Sequence, residues 1–381
     1  MTNHESQKRR FTDSARFSPV KAIRRTVWRI IFLGALIPLV LGEVRSNAAS
    51  VLAIAVSSGP AAAREILSIS ADGIREIAEL KGQVLYGTDR ETAAFLQTPA
   101  DGQKKSSRLL IINRKTSAIV TDKTVDGLNP VMMKALDVNR LAVRTRTSTV
   151  YVPLMELPIV SVTEANWETG ATRRIPVPSA PEAGPYLTAL YDVPSGVAIE
   201  REGRLDVVDP EKESPVLALK GDVGANGRSS SRYYSVPGFG VVKSASGMFS
   251  RVTEKDFLTL VQNPEEFPTQ DQNREIHSPR LGWIIEDKPC LIWGENEAGV
   301  TSPNRTISRI AIFDLQSRKI MLRKSLGDNF RPDLLPDAAG ENIYFLDLKE
   351  EEIFCLNVKS QKISSFAKVE ARRLQSLVAG N

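Results

Sequence analysis

The chain has 381 residues, 42% of them hydrophobic and 25% charged, and a formal net charge of +5. That size and composition suit a packed protein of one large or two ordinary domains and exclude wholesale disorder. The positive excess is local. Residues 1–63 hold nine Lys and Arg against three acids, which leaves 41 positive and 42 negative side chains in the remainder. A near-neutral body has no footprint for a phosphate backbone, so no nucleic-acid partner is expected.

The N-terminal stretch is basic up to Arg29, and the apolar run Ile30–Leu41 follows. Glu43, Arg45 and the small residues Ser46-Asn47-Ala48-Ala49 come next. This order predicts a secretory signal within a leader of 1–63. As a helix the run spans about 18 Å, short of a hydrocarbon core of about 30 Å, which favours cleavage over retention. The alternative is a membrane anchor over residues 27–56, because Ala48–Val56 is apolar too. Ala53-Ile54-Ala55 and Ala61-Ala62-Ala63 are further sites with cleavable small residues. The expected location is therefore extracytoplasmic, periplasmic or secreted, with membrane contact only through an uncleaved leader.

After the leader the strand signals are continuous. Ile66–Ser70 and Ile74–Leu80 flank the tight turn Ala71-Asp72-Gly73. The hairpin Ser107–Ile119 then recurs as Ser308–Ile320 and as Glu351–Ile363. Each copy is an apolar strand, an Asn or Asp, a polar turn with Ser or Thr, and a second strand that opens on Ile. Equivalent strand centres fall near Ile111, Ser161, Val207, Phe249, Ile312 and Cys355, with 66–80 a partial seventh unit. An all-strand repeat of roughly 40–50 residues predicts an all-β fold, a β-propeller over 64–369 with seven blades, six being the alternative. The pattern breaks once. Thr253-Glu254-Lys255-Asp256 resembles a capping box and predicts a short helical insertion at 254–262, followed by a polar loop to Arg280. Residues 370–381 are expected to form a short helix or tail.

The segments Asp314–Ile320, Asn357–Ile363 and Pro336–Phe345 resemble the YVTN-type and quinoprotein-like seven-bladed propellers. In those proteins a strand ends in Asp, turns through Thr-Gly-Lys, and the next blade opens near Pro-Asp-Gly. Here Ser-Arg and Ser-Gln replace Thr-Gly in two copies, and Thr169-Gly170 keeps it. The repeated tryptophan motif of quinone-binding dehydrogenases is absent, so no cofactor is expected.

Chemistry-bearing patterns are sparse. His277 is the only histidine beyond the leader, and no Gly-x-Ser-x-Gly elbow accompanies it. Cys290 and Cys355 fall at apolar strand positions and read as small buried hydrophobes rather than a disulfide or metal pair. Glu350-Glu351-Glu352 lies on a strand-to-strand turn without the alternating carboxylates of a calcium loop. No catalytic or metal-ligating residue is assigned. The binding candidates are His277 and Arg274 in the long polar loop, and Arg232, Tyr233 and Tyr234, which join a cation to two aromatic rings. The expected function is an exported, monomeric, non-catalytic propeller that binds a protein, peptide or glycan. The alternative is a propeller hydrolase or lyase with a carboxylate-bound divalent metal.

Overall fold

The computed structural model describes residues 49–378 apart from the segments 57–62, 83, 99–105, 127, 129–140, 157–158, 178–186, 194–195, 202–203, 210–214, 221–231, 238, 246–247, 253–280, 297–305, 332 and 371–373. The fold is an all-β propeller of antiparallel meanders. β1 (Ser50–Val56), β2 (Arg64–Ser70) and β3 (Gly73–Leu80) form the first. β4 (Val84–Thr88), β5 (Thr92–Gln97), β6 (Ser106–Asn113) and β7 (Ile119–Asp126) form the second. The third contains β8 (Ala142–Arg144), β9 (Thr149–Glu156), β10 (Ile159–Asn166) and β11 (Thr172–Pro176), with a single 3-10 turn at Thr145–Thr147. The fourth contains β12 (Leu187–Val193), β13 (Gly196–Arg201), β14 (Arg204–Val208) and β15 (Pro215–Lys220). β16 (Arg232–Val236), β17 (Gly240–Ala245) and β18 (Met248–Val252) make a three-stranded sheet.

An eight-stranded sheet follows. Its first meander is β19 (Leu281–Ile285), β20 (Lys288–Glu295), β21 (Ile307–Asp314) and β22 (Lys319–Phe330). Its second is β23 (Leu335–Pro336), β24 (Asn342–Asp347), β25 (Glu352–Asn357) and β26 (Lys362–Lys368). The two are joined where Phe330 pairs with Asp347 and the Arg331 N–H donates to the Leu346 carbonyl at 2.8 Å. The opening strands touch in series, β4 with β8, β8 with β12, β12 with β16 and β16 with β19, and so surround a common axis. The six strand centres expected from the sequence fall on β6, β10, β14, β18, β21 and β25, the third strand of each meander.

The repeated hairpin has a local cause. Asn113 Oδ1 accepts the backbone N–H groups of Lys115 and Thr116 at 3.0 and 2.9 Å. Asn166, Asp314 and Asn357 hold the same turn in their own meanders. The residue after the Thr or Ser is left-handed in each: Ser117, Gly170, Arg318 and Gln361. Only the third meander fills that position with glycine, which adopts it without strain. Both cysteines are free, Cys290 buried and Cys355 half-buried.

The body extends past the expected 64–369 at both ends. β27 (Leu374–Leu377) is a strand rather than a helix or tail, and it pairs antiparallel with β1, giving the order β27-β1-β2-β3. The physical reason is edge closure: β1 would otherwise present an unpaired row of backbone groups. Val51, Leu52, Ala53, Ile54 and Ala55 are buried between these neighbours. Residues 50–56 therefore belong to the folded body and not to a leader or to an anchor reaching Val56. The expected helix at 254–262 lies outside the described residues. Among the described residues no helix is long and apolar enough to cross a membrane.

Candidate functional site

Turns between first and second strands, and between third and fourth, share one face of the propeller. On that face, near the axis, the second, third, fourth and eight-stranded sheets are knitted by charged side chains. Asp89, in the β4–β5 turn, accepts the N–H groups of Glu91 and Thr92 through Oδ1 at 2.9 and 2.8 Å. Its Oδ2 accepts the N–H of Thr145 at 2.8 Å and the Thr145 hydroxyl. Thr145 stands at the equivalent turn of the next sheet, so one carboxylate closes its own turn and ties down its neighbour's.

Asp192 repeats the arrangement one sheet further on. Arg144 Nε donates to Asp192 Oδ1 at 2.7 Å, and an Nη of the same side chain donates to the carbonyls of Val193 and Gly196 at 2.7 and 2.6 Å. The guanidinium also lies 5.6 Å from the Tyr151 ring centroid. Burial pushes the Asp192 carboxyl up to about 6, against the pull of Arg144.

Arg114 makes the longest reach. Its Nη1 donates to the Asp89 carbonyl at 2.7 Å and its Nη2 to the Pro336 carbonyl at 2.8 Å. Its Cζ sits 4.8 Å from the ring centroid of Trp283, whose own Nε1 donates to the Asp337 carbonyl at 3.0 Å. Arg90 donates twice to the Ala338 carbonyl, at 3.2 and 3.1 Å. The second sheet is thereby linked directly to the eight-stranded one. Only 7% of Arg114 is exposed, and burial lowers its guanidinium to about 10 even with Asp89 and Asp337 opposing. Asp337 in turn closes its own turn, accepting from Glu341 N–H at 2.9 Å and the Asn342 amide at 2.8 Å.

The donor set is engaged internally. Asp89, Asp192 and Asp337 each accept from backbone, hydroxyl, amide or guanidinium donors, and no three His, Cys, Asp or Glu side chains converge as metal ligands among the described residues. The arrangement holds meanders together around the axis.

The sequence-derived candidates are not brought to this place. His277 and Arg274 lie outside the described residues. Arg232 opens β16, and nothing is described of its side chain. Tyr233 and Tyr234 are 6% and 7% exposed, so they serve the core rather than a surface. The Tyr191 hydroxyl donates to Glu200 and lies 3.2 Å from the Tyr233 carbonyl, and so packs against the same stretch from the preceding sheet. Glu350–Glu352 lies on the β24–β25 turn, as expected, on the opposite face.

Sequence reasoning missed Arg114, although a signal existed. Arg114 N–H bonds the Glu91 carbonyl just as Trp167, Leu315 and Val358 bond Ser148, Pro289 and Glu341. All four are buried, but only Arg114 is charged. A cation at an apolar register of the repeat marks the site.

No protein-family model matches the chain, and no curated protein matches it. Solved structures are similar to it. Apo AztD from Citrobacter koseri is 13% identical with a TM-score of 0.50, covering 87% of this chain and 97% of its own. A protein from Lactobacillus plantarum is 11% identical with a TM-score of 0.49, covering 87% and 98%. The β-propeller domain of the trilobed protease from Pyrococcus furiosus is 11% identical with a TM-score of 0.43, covering 75% and 83%. At these identities the likeness concerns the fold alone.

Proposed function

We propose that this chain is an exported, non-catalytic β-propeller that binds a protein, peptide or glycan. The observation that carries the reading is the commitment of the axial carboxylates. Asp89, Asp192 and Asp337 are taken up in closing turns and tying sheets, which suits a rigid platform better than a reaction centre. The described turns of the turn face are short and closed by their own Asp or Asn side chains. Long connections on a rigid scaffold are where recognition concentrates, and the partner is assigned to the long polar segment 254–280 that interrupts the strand pattern. The same reading counts the eight-stranded sheet as two blades. The ring is then seven-bladed and YVTN-like, closed by β27 against β1. Export follows from the leader, with the chain periplasmic or secreted.

Elemental analysis of the purified protein, with thermal unfolding in EDTA, tests the non-catalytic part. The expected result is no stoichiometric divalent metal and an unchanged transition. A stoichiometric ion whose removal lowers the transition would transfer the chain to the carboxylate-metal hydrolase or lyase class. Cell fractionation tests the export. A form in the cytoplasm that still begins at Met1 would overturn it.

A further inference from the structure

The second strand of each meander turns alternate residues toward the preceding meander, and sister strands fill one of these positions alike. β5, β9, β13, β20 and β24 bury Phe95, Val152, Ile199, Trp293 and Phe345 there, each two residues beyond a buried Ala93, Val150, Val197, Leu291 or Ile343. In β17 the residue two beyond Val241 is Lys243, and it is 4% exposed. Lys243 pairs across the sheet with Tyr233, and Tyr233 and Val241 both belong to the apolar cluster between β12–β15 and β16–β18. The lysine therefore faces that seam. It is the one charged residue at this register among the described strands.

The facing side of the same seam departs from the repeat in the same way. β5 and β24 bury Leu96 and Leu346 toward the following meander, two residues beyond Ala94 and Tyr344. β13 has Glu200 there, two beyond Ala198 and paired with Leu205, both members of the seam cluster. The Tyr191 hydroxyl, also in that seam, donates to Glu200. One seam thus receives an acid from one side and a base from the other, at registers that sister meanders fill with hydrocarbon. Its described tie on the turn face is a hydroxyl, Ser235 Oγ donating to the Asp192 carbonyl at 3.2 Å. The preceding seam is clasped by Arg144 to a carboxylate and two carbonyls.

We propose that the ring has one opening seam, between β12–β15 and β16–β18, which parts in the native state below the global transition. An ionisable side chain loses hydration on burial, and even a paired one often stabilises an interface less than hydrocarbon of similar volume. Parting this seam returns water to Glu200 and Lys243. Parting a sister seam only exposes hydrocarbon at Phe95, Val152, Ile199, Trp293 or Phe345. That difference selects this seam for sub-global opening. Pairing of β27 with β1 keeps the chain ends joined meanwhile, so the ring loosens without coming apart. The open form bares Tyr191, Leu205, Val207, Tyr233 and Val241.

Thiol labelling tests this in the full chain, in a Cys290→Ala, Cys355→Ala background. Val241→Cys reports on the proposed seam. Val150→Cys is the control at the same register between β4–β7 and β8–β11, and the native valines are 2% and 0% exposed. The expected result in native buffer is labelling by a water-soluble disulfide reagent about tenfold or more faster at 241 than at 150. Adding Lys243→Leu is expected to slow labelling at 241 toward the rate at 150 and to leave 150 unchanged. Hydrogen exchange of the unsubstituted chain, read by mass spectrometry, is a second measure that needs no variant to fold. Amides of β16 and β17 should exchange through a sub-global opening, and those of β5 and β9 only with global unfolding. Equal labelling at 241 and 150, or equal protection of all four strands, overturns the proposal. So does unchanged or faster labelling at 241 in the Lys243→Leu variant, which would make the acid and the base a lock on the seam rather than its weak point.

Discussion

Arg114 occupies a register that its sister meanders fill with Trp167, Leu315 or Val358, and it spans from the Asp89 carbonyl to the Pro336 carbonyl. A buried guanidinium is worth keeping only when its donors are satisfied, and removing it leaves those carbonyls without their partner. Arg114→Ala is expected to lower stability by about 3 kcal/mol, measured by urea unfolding. Arg114→Leu, which restores the apolar register, is expected to lose less. If the Leu variant were as stable as the native protein, Arg114 would be kept for binding rather than for holding the ring. Asp192 gives a pH signature. Its folded pKa, raised to about 6 chiefly by burial, lies above the ordinary value of 3.8. The folded state therefore holds more protons between those values, so this group's contribution to stability declines as pH climbs from 4 through 6. Its side chain keeps 39% of its surface open, so the effect is moderated by solvent. Native protein should gain stability on going from pH 7 to pH 5 relative to Asp192→Asn. Equal pH profiles would show that Asp192 titrates in its ordinary range.

Strands were more legible than edges. Local turn chemistry repeats in sequence, so Asn113, Asn166, Asp314 and Asn357 announced their hairpins and placed the third strand of four meanders. β1 and β27 had no such signature. Each is a short apolar stretch whose partner lies at the far end of the chain, and Ala48–Val56 reads equally well as the tail of a leader. The axial site was hidden for the same reason: Asp89, Arg114, Asp192 and Asp337 gain meaning only once separate turns are brought together. The exposure of Ile74, Ile119 and Ile320 was invisible because β-branched residues suit a strand whether or not its outer face is covered. Two outcomes follow for elements. Any leader cleavage compatible with the fold must precede β1. N-terminal sequencing of an exported form should therefore find a start between Ser46 and Ser50, and a start after Ala55 or Ala63 would mean that the ring closes without β1. Gly282 tests the contact between opening strands. A Cβ there would stand 2.0 Å from the Ser235 carbonyl oxygen of β16, so Gly282→Ala should cost about 1–3 kcal/mol in thermal or urea unfolding.

Residues 48–381 form one compact unit, and its two chain ends meet in the same sheet. Each meander buries one face against the previous neighbour and the other against the next, as when Val358 packs into the cluster with Trp283 and Ile285, or Trp167 into the one with Leu109 and Ile111. No meander then has a complete core alone, and the ring should unfold as a whole. Closure makes this dependence circular. Leu374, Leu377 and Val378 are buried in contact with β1, and Val378 N–H bonds the Leu52 carbonyl at 3.0 Å. Calorimetry of the full chain should give a single transition whose van't Hoff and calorimetric enthalpies agree. A chain ended at residue 369 forfeits those three side chains, each worth about 1.5–3 kcal/mol of burial, and frees the edge of β1. It should melt well below the native protein and less cooperatively, with β1 available for pairing between molecules. If instead the truncated ring melted at the native temperature and stayed monomeric, the clasp that Arg90 and Arg114 extend to Ala338 and Pro336 would be sufficient closure by itself.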